Sequence, residues 1–477
     1  HWSLILMGLI AAGLLIFRPG EVPPLFFDEG WNLMAARNWL QIGHYGPLVN
    51  GHPEFVSLST GLPAIIPMAI SFKLFGIGPW QARLPGILFT AGAFVLIWYI
   101  AHKLYGRRIA AFALAVLIFM PAHPDLHATL IGRQALGEMP AIFYLLLGYA
   151  CFLASLKGPS WLKYLTIIWW GLALATKAQV IPFLFVALFV PLLLRLFQRR
   201  WKEAGIILWG LIGSFAAFGI FTICQRYLLH DPMPAQMHIA NWSNTIADLQ
   251  THIRMTAVRY LLVFGLPTLL GLLYALFKLT RDCLKKRTFA EGADIAKLSL
   301  LVLCLGWMGW FVSLSVGFLR YLFPAMFLGS IFTAHMLNEL TNGFRPPPLG
   351  LNPRALKCLF ALALVAWTAI PTLRMLYKFN ASGAGKDALH VVDYINSSTP
   401  SDAVIESGQV ELFFLMNRRY VFGYERFPVS VPMKGDSDYL IIGPMVRELA
   451  LVDPSLVRNQ FTCFVSFGKY DIYKRIR

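Results

Sequence analysis

The sequence predicts a polytopic α-helical membrane protein that ends in a small α/β domain. Three observations carry this reading. Long apolar runs recur through residues 1–376. Of 477 residues, 57% are hydrophobic and 14% charged, and mean hydropathy is +0.61. A water-soluble chain of this length buries its core without so apolar a surface, whereas each bilayer crossing needs about 20 apolar residues. Basic residues collect between the runs in an alternating pattern, as topology signals do. Beyond about Tyr377 the long runs stop and short β-like segments begin.

About eleven runs qualify as spans: residues 2–17, 84–102, 109–121, 140–156, 164–176, a sixth continuing past Lys177 to 194, then 206–227, 260–277, 298–316, 322–337 and 358–376. The first lacks the basic flank and small-residue cleavage site of a signal peptide, so it is expected to remain as a span. Every even-numbered span leads into basic residues: Lys103 and Arg107, Lys157 and Lys163, Arg195 and Arg199, Lys278 and Arg281, Arg345 and Arg354. Odd-numbered spans lead to Asp28 and Glu29, Asp125, Lys177, Asp231 and Arg320. The positive-inside rule then puts the N-terminus in the cytoplasm and the C-terminal domain outside, across the plasma (inner) membrane.

Two outer stretches are long. Residues 18–83 contain two helical patterns, 31–41 and 62–75, expected to lie at the membrane interface with Trp31, Trp39 and Trp80 as anchors. Residues 228–255 are polar and carry His230, His238, His252 and Arg254. The boundary between the membrane domain (1–376) and the outer α/β domain (377–477) follows the change in composition. In that tail we expect a helix over 387–396 and strands over 403–405, 412–415, 439–442, 461–467 and 470–473. Six cysteines show no ligand spacing, and only Cys463 falls in the tail, so no disulfide framework is expected there.

A net charge of +17 raises nucleic acid as a partner, but the Lys and Arg form no basic domain. The informative charges sit at outer span ends, where ionisable groups are expensive and mark function. They are the carboxylates Asp28, Glu29, Glu54, Asp125 and Glu138, and the cations Arg37, Arg133, Lys177, Arg254, Arg259 and Arg320. A carboxylate base with several cations fits transfer from a phosphate leaving group: the base takes a proton from the attacking hydroxyl, and the cations hold the phosphate. Plainer roles stand beside these. Asp28 suits a helix N-cap, Glu138 a helix dipole, Asp125 a turn, Lys177 a snorkelling stem, and Arg254 and Arg259 span flanks. His52, His123 and His127 with Asp28 are a conceivable metal set, without ligand spacing.

The stretch Asp28-Glu29-Gly30-Trp31-Asn32-Leu33-Met34-Ala35-Ala36-Arg37 resembles the Asp-Glu motif of the first outer loop in GT-C glycosyltransferases, in the branch of protein O-mannosyltransferases and aminoarabinose transferases (glycosyltransferase family 39). Gly132-Arg133-Gln134-Ala135-Leu136-Gly137-Glu138 resembles the second outer-loop motif, Ala175-Thr176-Lys177 the lysine-bearing break, and Arg320-Tyr321 the late Arg-Tyr element. Many relatives carry an acid where this chain has Ala135; Asp125 and Glu138 are the acids that would stand in. The resemblance implies an inverting transferase with a polyprenyl-phosphate-linked sugar as donor and an extracytoplasmic protein, lipid or glycan as acceptor. Asp28, Glu29 and Glu138 would be catalytic. Asp125, Arg133, Lys177, Arg254, Arg259, Arg320 and Tyr321 would bind substrate. A divalent metal, Mg or Mn, is left open. The tail is expected to help select the acceptor. The competing readings are a lipid or sugar transporter or flippase, which would show ionisable residues deep in spans and an internal repeat, and a non-catalytic membrane scaffold.

Overall fold

The computed structural model describes residues 2–49, 52–53, 60–156, 158–159, 161–229, 250–286, 292–345, 353–381, 384–422, 437–448 and 454–476. Glu54, His230, His238 and the His52 side chain lie outside the described residues.

Each apolar run is helical. In chain order the helices are α1 (Trp2–Ile16), α2 (Phe27–Ile42), α3 (Leu62–Phe75), α4 (Pro79–Tyr105), α5 (Arg107–Phe119), α6 (Glu138–Ser155), α7 (Leu162–Thr176), α8 (Val180–Phe197) and α9 (Trp201–Leu229). They continue with α10 (Thr251–Tyr260), joined through a π-turn at Leu261–Gly265 to α11 (Leu266–Lys286), then α12 (Gly292–Ser313), α13 (Phe323–Leu340), α14 (Pro353–Ala381) and α15 (Ala384–Ser398). Seven helical stretches among the described residues are long and apolar enough to cross a membrane. Helices α1, α5 and α7 are shorter. At about 1.5 Å per residue, the 13-residue α5 rises about 20 Å, less than a hydrocarbon core.

The chain separates into two compact units. Unit 1 comprises His1–Leu15, Ile87–Gly132 and Gly137–Tyr377; unit 2 comprises Ile16–Gly86, Arg133–Leu136 and Lys378–Arg477. One cut falls between Tyr377 and Lys378, and residues 16–86 group with the C-terminal residues.

In unit 1, α6 packs on α7, α7 on α9, α8 on α12, and α13 on α5 and α11. Helix α13 is buried on all sides from Phe323 to Leu337, as an apolar helix at the centre of a bundle must be. Gly271 on α11 lets it approach α13 at backbone distance: a Cβ there would lie 2.7 Å from the Thr333 N and Cα. Small residues at such crossings are the usual device for helix packing without a hydrophobic driving force.

In unit 2, five strands form one mixed sheet: β1 (Val404–Ser407), β2 (Arg419–Val421), β3 (Tyr439–Ile442), β4 (Phe461–Phe467) and β5 (Tyr470–Arg475). Their order is β2-β1-β3-β5-β4. β1 is parallel to β2 and β3, and β5 is antiparallel to β3 and β4. Residues 412–415, expected as a strand, belong instead to a helical turn at Val410–Phe413 and its exit. A four-residue run buried on every side has no period to separate strand from helix. The core of unit 2 joins Leu33 and Met34 of α2, Ile65 and Phe72 of α3, Val391 and Ile395 of α15, and Ile405, Ile441 and Ile472 of the sheet. Helix α2 buries Glu29, Gly30, Asn32, Leu33, Met34, Ala35, Ala36 and Asn38, so unit 2 encloses more of it than one interfacial face would require.

Candidate active site

The polar centre of unit 1 forms where helices break or begin. The Thr176 hydroxyl donates back to Leu172 O at 2.7 Å, closing α7. Lys177 then leaves helical geometry (φ −148°, ψ 109°) before α8 starts. Its Nζ donates to Oε1 of Glu138, the first residue of α6, at 2.5 Å, and the two side chains are 9% and 2% exposed. Such a charge-assisted bond is strong, and strongest away from water. Arg320 stands in the 3₁₀ turn Leu319–Leu322 that leads into α13, with its guanidinium 5.5 Å from the Tyr321 ring centroid and 5.9 Å from that of Phe318. Its charge acts on Glu138 as that of Lys177 does. Trp307 fixes this turn by donating Nε1 to Tyr321 O at 2.8 Å. Glu138, Lys177, Val180, Trp307 and Pro324 line a cavity of about 10 Å³, room for about one water. Three expected site residues, Glu138, Lys177 and Arg320, thus share one centre, with Tyr321 beside it.

Other expected residues of unit 1 are engaged elsewhere. Arg254 donates Nη1 to Val312 O (2.9 Å) and Phe311 O (3.4 Å), capping the carbonyls at the end of α12. Arg259 lies on an exposed face of α10. Asp125 is exposed in the turn Pro124–Leu126, where its backbone N–H donates to His123 Nδ1 at 3.2 Å. His127 bonds Ile118 O and the Thr129 hydroxyl, both at 3.0 Å.

Unit 2 holds a second charged centre around the Asp28-Glu29 pair. Phe26 is the N-cap of α2, so Asp28 is a first-turn acid and not the cap. Asp28 is half-buried, while Glu29 is fully buried and both of its oxygens are used. Oε1 accepts from Arg83 Nε (3.1 Å) and Ala135 N (2.9 Å); Oε2 accepts from Arg83 Nη2 (2.8 Å) and Phe26 N (3.0 Å). Arg83 also donates to Pro19 O, Pro23 O and Pro24 O. Asn32 donates to Ala135 O at 2.8 Å. The backbone of Ala135 is therefore clamped on both sides by the first motif, and its side chain is fully buried. An acid in that place would bury a second carboxylate against Glu29. Arg133 donates to Phe17 O (2.7 Å) and Val22 O (2.9 Å), binding residues 17–22 into the unit. Burial, and then the nearby Arg83 charge, lower its pKa to about 10, so it stays cationic at neutral pH. Sequence reasoning missed Arg83 and Asn32. Arg83 carried the signal that revealed Lys177, a lone cation against an apolar helix, but its partner lies far away in the chain. Among the described residues no group of three His, Cys, Asp or Glu side chains is placed to hold a metal.

Residues 64–222 match the family model of dolichyl-phosphate-mannose-protein mannosyltransferases. The fold matches the structure of ArnT from Cupriavidus metallidurans bound to undecaprenyl phosphate, with a TM-score of 0.58 at 14% identity over 99% of this chain and 98% of that one. Over residues 64–222 the chain is thus similar to membrane glycosyltransferases, and over its whole length it shares the fold of the ArnT structure. It also resembles the Archaeoglobus fulgidus oligosaccharyltransferase in its apo form (TM-score 0.60, 12% identity, all of this chain and 74% of that one). The same oligosaccharyltransferase, AglB, in complex with an inhibitory peptide and a dolichol-phosphate gives a TM-score of 0.57 at 12% identity over all of this chain and 74% of that one. No curated protein sequence matches this chain. At these identities the likeness shows the fold, and the family model matches residues 64–222 of the 477.

Proposed function

We propose that this transferase moves a sugar from a polyprenyl-phosphate carrier to an acceptor hydroxyl on the extracytoplasmic side, in one displacement that inverts the anomeric carbon. The observation that carries the reading is the buried Lys177–Glu138 pair with Arg320 beside it. Two cations gathered at one carboxylate, within reach of a bilayer, suit an anionic phosphate. As the bond from the anomeric carbon to the phosphate oxygen breaks, the phosphate leaves with the electron pair and gains charge. Cations already in place in a low-dielectric site stabilise that change without reorganising. Glu138 holds Lys177 ready, and Lys177 exchanges that partner for the phosphate.

The base in this reading is Asp28, which takes the proton from the acceptor hydroxyl as its oxygen bonds to the anomeric carbon. Glu29, bound on both oxygens, positions the turn that carries Asp28. Arg133 and Arg254, each donating Nη1 to backbone carbonyls, serve as braces. The carrier class is supported by the undecaprenyl phosphate and dolichol-phosphate bound to the ArnT and AglB structures. The eleven-span topology, the cytoplasmic N-terminus, the outer C-terminal domain and the plasma-membrane location belong to the same proposal.

The test is transfer from a radiolabelled polyprenyl-phosphate sugar by purified protein in nanodiscs. Lys177→Met, Arg320→Met and Asp28→Asn are each expected to lose about 100-fold or more in rate, and the product anomer read by NMR should be opposite to the donor's. Full transfer by Lys177→Met, or a retained anomer, overturns the mechanism.

A further inference from the structure

The helical turn Val410–Phe413 lies against the start of α2. A Cβ added at Gly30 would strike the Val410 carbonyl and come within 2.5 Å of Glu411 N. Farther along α2, Arg37 donates Nη1 to the carbonyls of Phe413 (3.2 Å), Phe414 (3.0 Å) and Met416 (2.9 Å). Segment 410–416 is thus fastened along the helix that opens with Asp28 and Glu29. At its head is Glu411, 4% exposed. The Glu411 Oε1 accepts from the Tyr470 hydroxyl of β5 at 3.3 Å. With the Gln409 amide turned so that its oxygen and nitrogen exchange places, its nitrogen donates to the same Oε1 at 2.6 Å and its oxygen accepts from Val446 N at 3.1 Å. The Glu411 Oε2 has no hydrogen-bond partner among the described residues. The Glu29 charge acts on Glu411, while Glu29 itself is paired with Arg83.

We propose that Glu411 is a positioning residue for transfer: it seats the turn of α2 that carries Asp28 and Glu29 and ties that turn to the sheet through Tyr470. The proposal rests on the reading of Asp28 as the base. Arg83 pairs with Glu29; a second carboxylate beneath the same turn is buried without a counter-charge, so Glu411 keeps its proton at neutral pH. Burial first, and the Glu29 charge after it, raise its pKa from 4.5 to about 8. The groups that face it are Glu29 on α2, Tyr470 on β5 and Gln409 on its own turn, while Asp387 of α15 acts on Tyr470. Burial holds Tyr470 protonated well above its usual range. As pH rises through about 8, Glu411 ionises, repels Glu29, and displaces the Asp28 turn.

The sign for stability follows from the same numbers. The unfolded chain gives up this proton near 4.5 and the folded chain near 8, so folding stability falls as pH climbs between those values and levels off above them. Glu411→Gln keeps the acceptor oxygen and cannot ionise, so it removes that slope.

The experiment measures transfer from the polyprenyl-phosphate sugar between about pH 6 and 9.5 for full-length wild type, Glu411→Gln, Glu411→Ala and Asp28→Asn, with gel filtration to monitor folding. We expect the wild-type rate to fall with a midpoint near the 8 of Glu411, and Glu411→Gln to keep most of the neutral-pH rate while losing that alkaline fall. Glu411→Ala should lose about tenfold or more at every pH, as misplaced catalytic groups do. If Glu411→Ala does not fold, the Glu411→Gln profile decides alone. A Glu411→Gln profile that tracks wild type, with Asp28→Asn inactive, overturns the role of Glu411 and leaves the transfer reading standing. A fully active Asp28→Asn overturns the reading of Asp28 as base, and the positioning role with it.

Discussion

Burying an ion removes several kcal/mol of hydration, and an ion pair recovers it only with good geometry. The Lys177–Glu138 pair, 9% and 2% exposed, is therefore a poor device for stability alone. Removing one partner should be worse than removing both. Lys177→Met leaves Glu138 buried without its cation and should cost about 3–5 kcal/mol of stability. Lys177→Met/Glu138→Gln should recover most of that loss and none of the activity. Thermal unfolding in detergent, followed in parallel with transfer, separates the two effects. If the double variant were as unstable as the single one, the pair would be structural and its phosphate role would lose its main support. The Glu29–Arg83 pair follows the same logic with a different end. Arg83 spends its remaining donors on the carbonyls of Pro19, Pro23 and Pro24, so Arg83→Met should unfasten the strap ahead of α2 as well as the acid. Faster proteolysis within residues 16–30 would be the sign; an unchanged cleavage pattern would count against a bracing role.

Among the elements, α2 is the most constrained. Gly30 sits where the turn at Val410 crosses it, and a methyl group there has no space. Gly30→Ala is expected to push the two apart and to cut transfer by about 100-fold, as a shift of about 1 Å at a catalytic group can do. A wild-type rate in Gly30→Ala would mean that the Val410 contact does not position Asp28. The physics of patterns explains which elements the sequence made legible. Membrane helices announce themselves because some twenty residues must all be apolar, and each apolar run is helical here. The break at Lys177 was readable for the same reason, since a cation between two apolar runs must be satisfied inside the fold. The run at 412–415 was not, because a short segment with three consecutive residues buried has no period. Strand β2, only three residues long, offered no pattern at all. The partners of Glu29 were invisible for a further reason: Arg83 and Ala135 lie 54 and 106 residues beyond it, and nothing in either segment points to the other.

At the scale of the molecule, residues 16–86 and the tail form one folding unit. The core that holds α2 and α3 takes Leu33, Met34, Ile65, Met68 and Phe72 from the loop, and Val391, Ile395, Ile405, Phe413, Phe414, Ile441 and Ile472 from the tail. Phe72 stacks on Phe414 with ring centroids 6.3 Å apart, and Arg37 reaches three tail carbonyls. Burying each large apolar side chain is worth about 1.5–3 kcal/mol, so seven removed at once, about 10–20 kcal/mol, are comparable to the whole 5–15 kcal/mol or so that holds a typical domain together. A chain cut after Tyr377 should therefore lose the fold of residues 16–86 and, with it, the placement of Asp28. From composition alone the tail was expected to choose among acceptors. The shared core changes the expected outcome of its deletion: transfer to every acceptor should fail, and residues 27–75 should become sensitive to protease, while the helices of unit 1, which pack on one another, stay protected. A truncated protein that still transfers, even to a different acceptor, would restore the selector role and show that α2 holds its shape without the sheet.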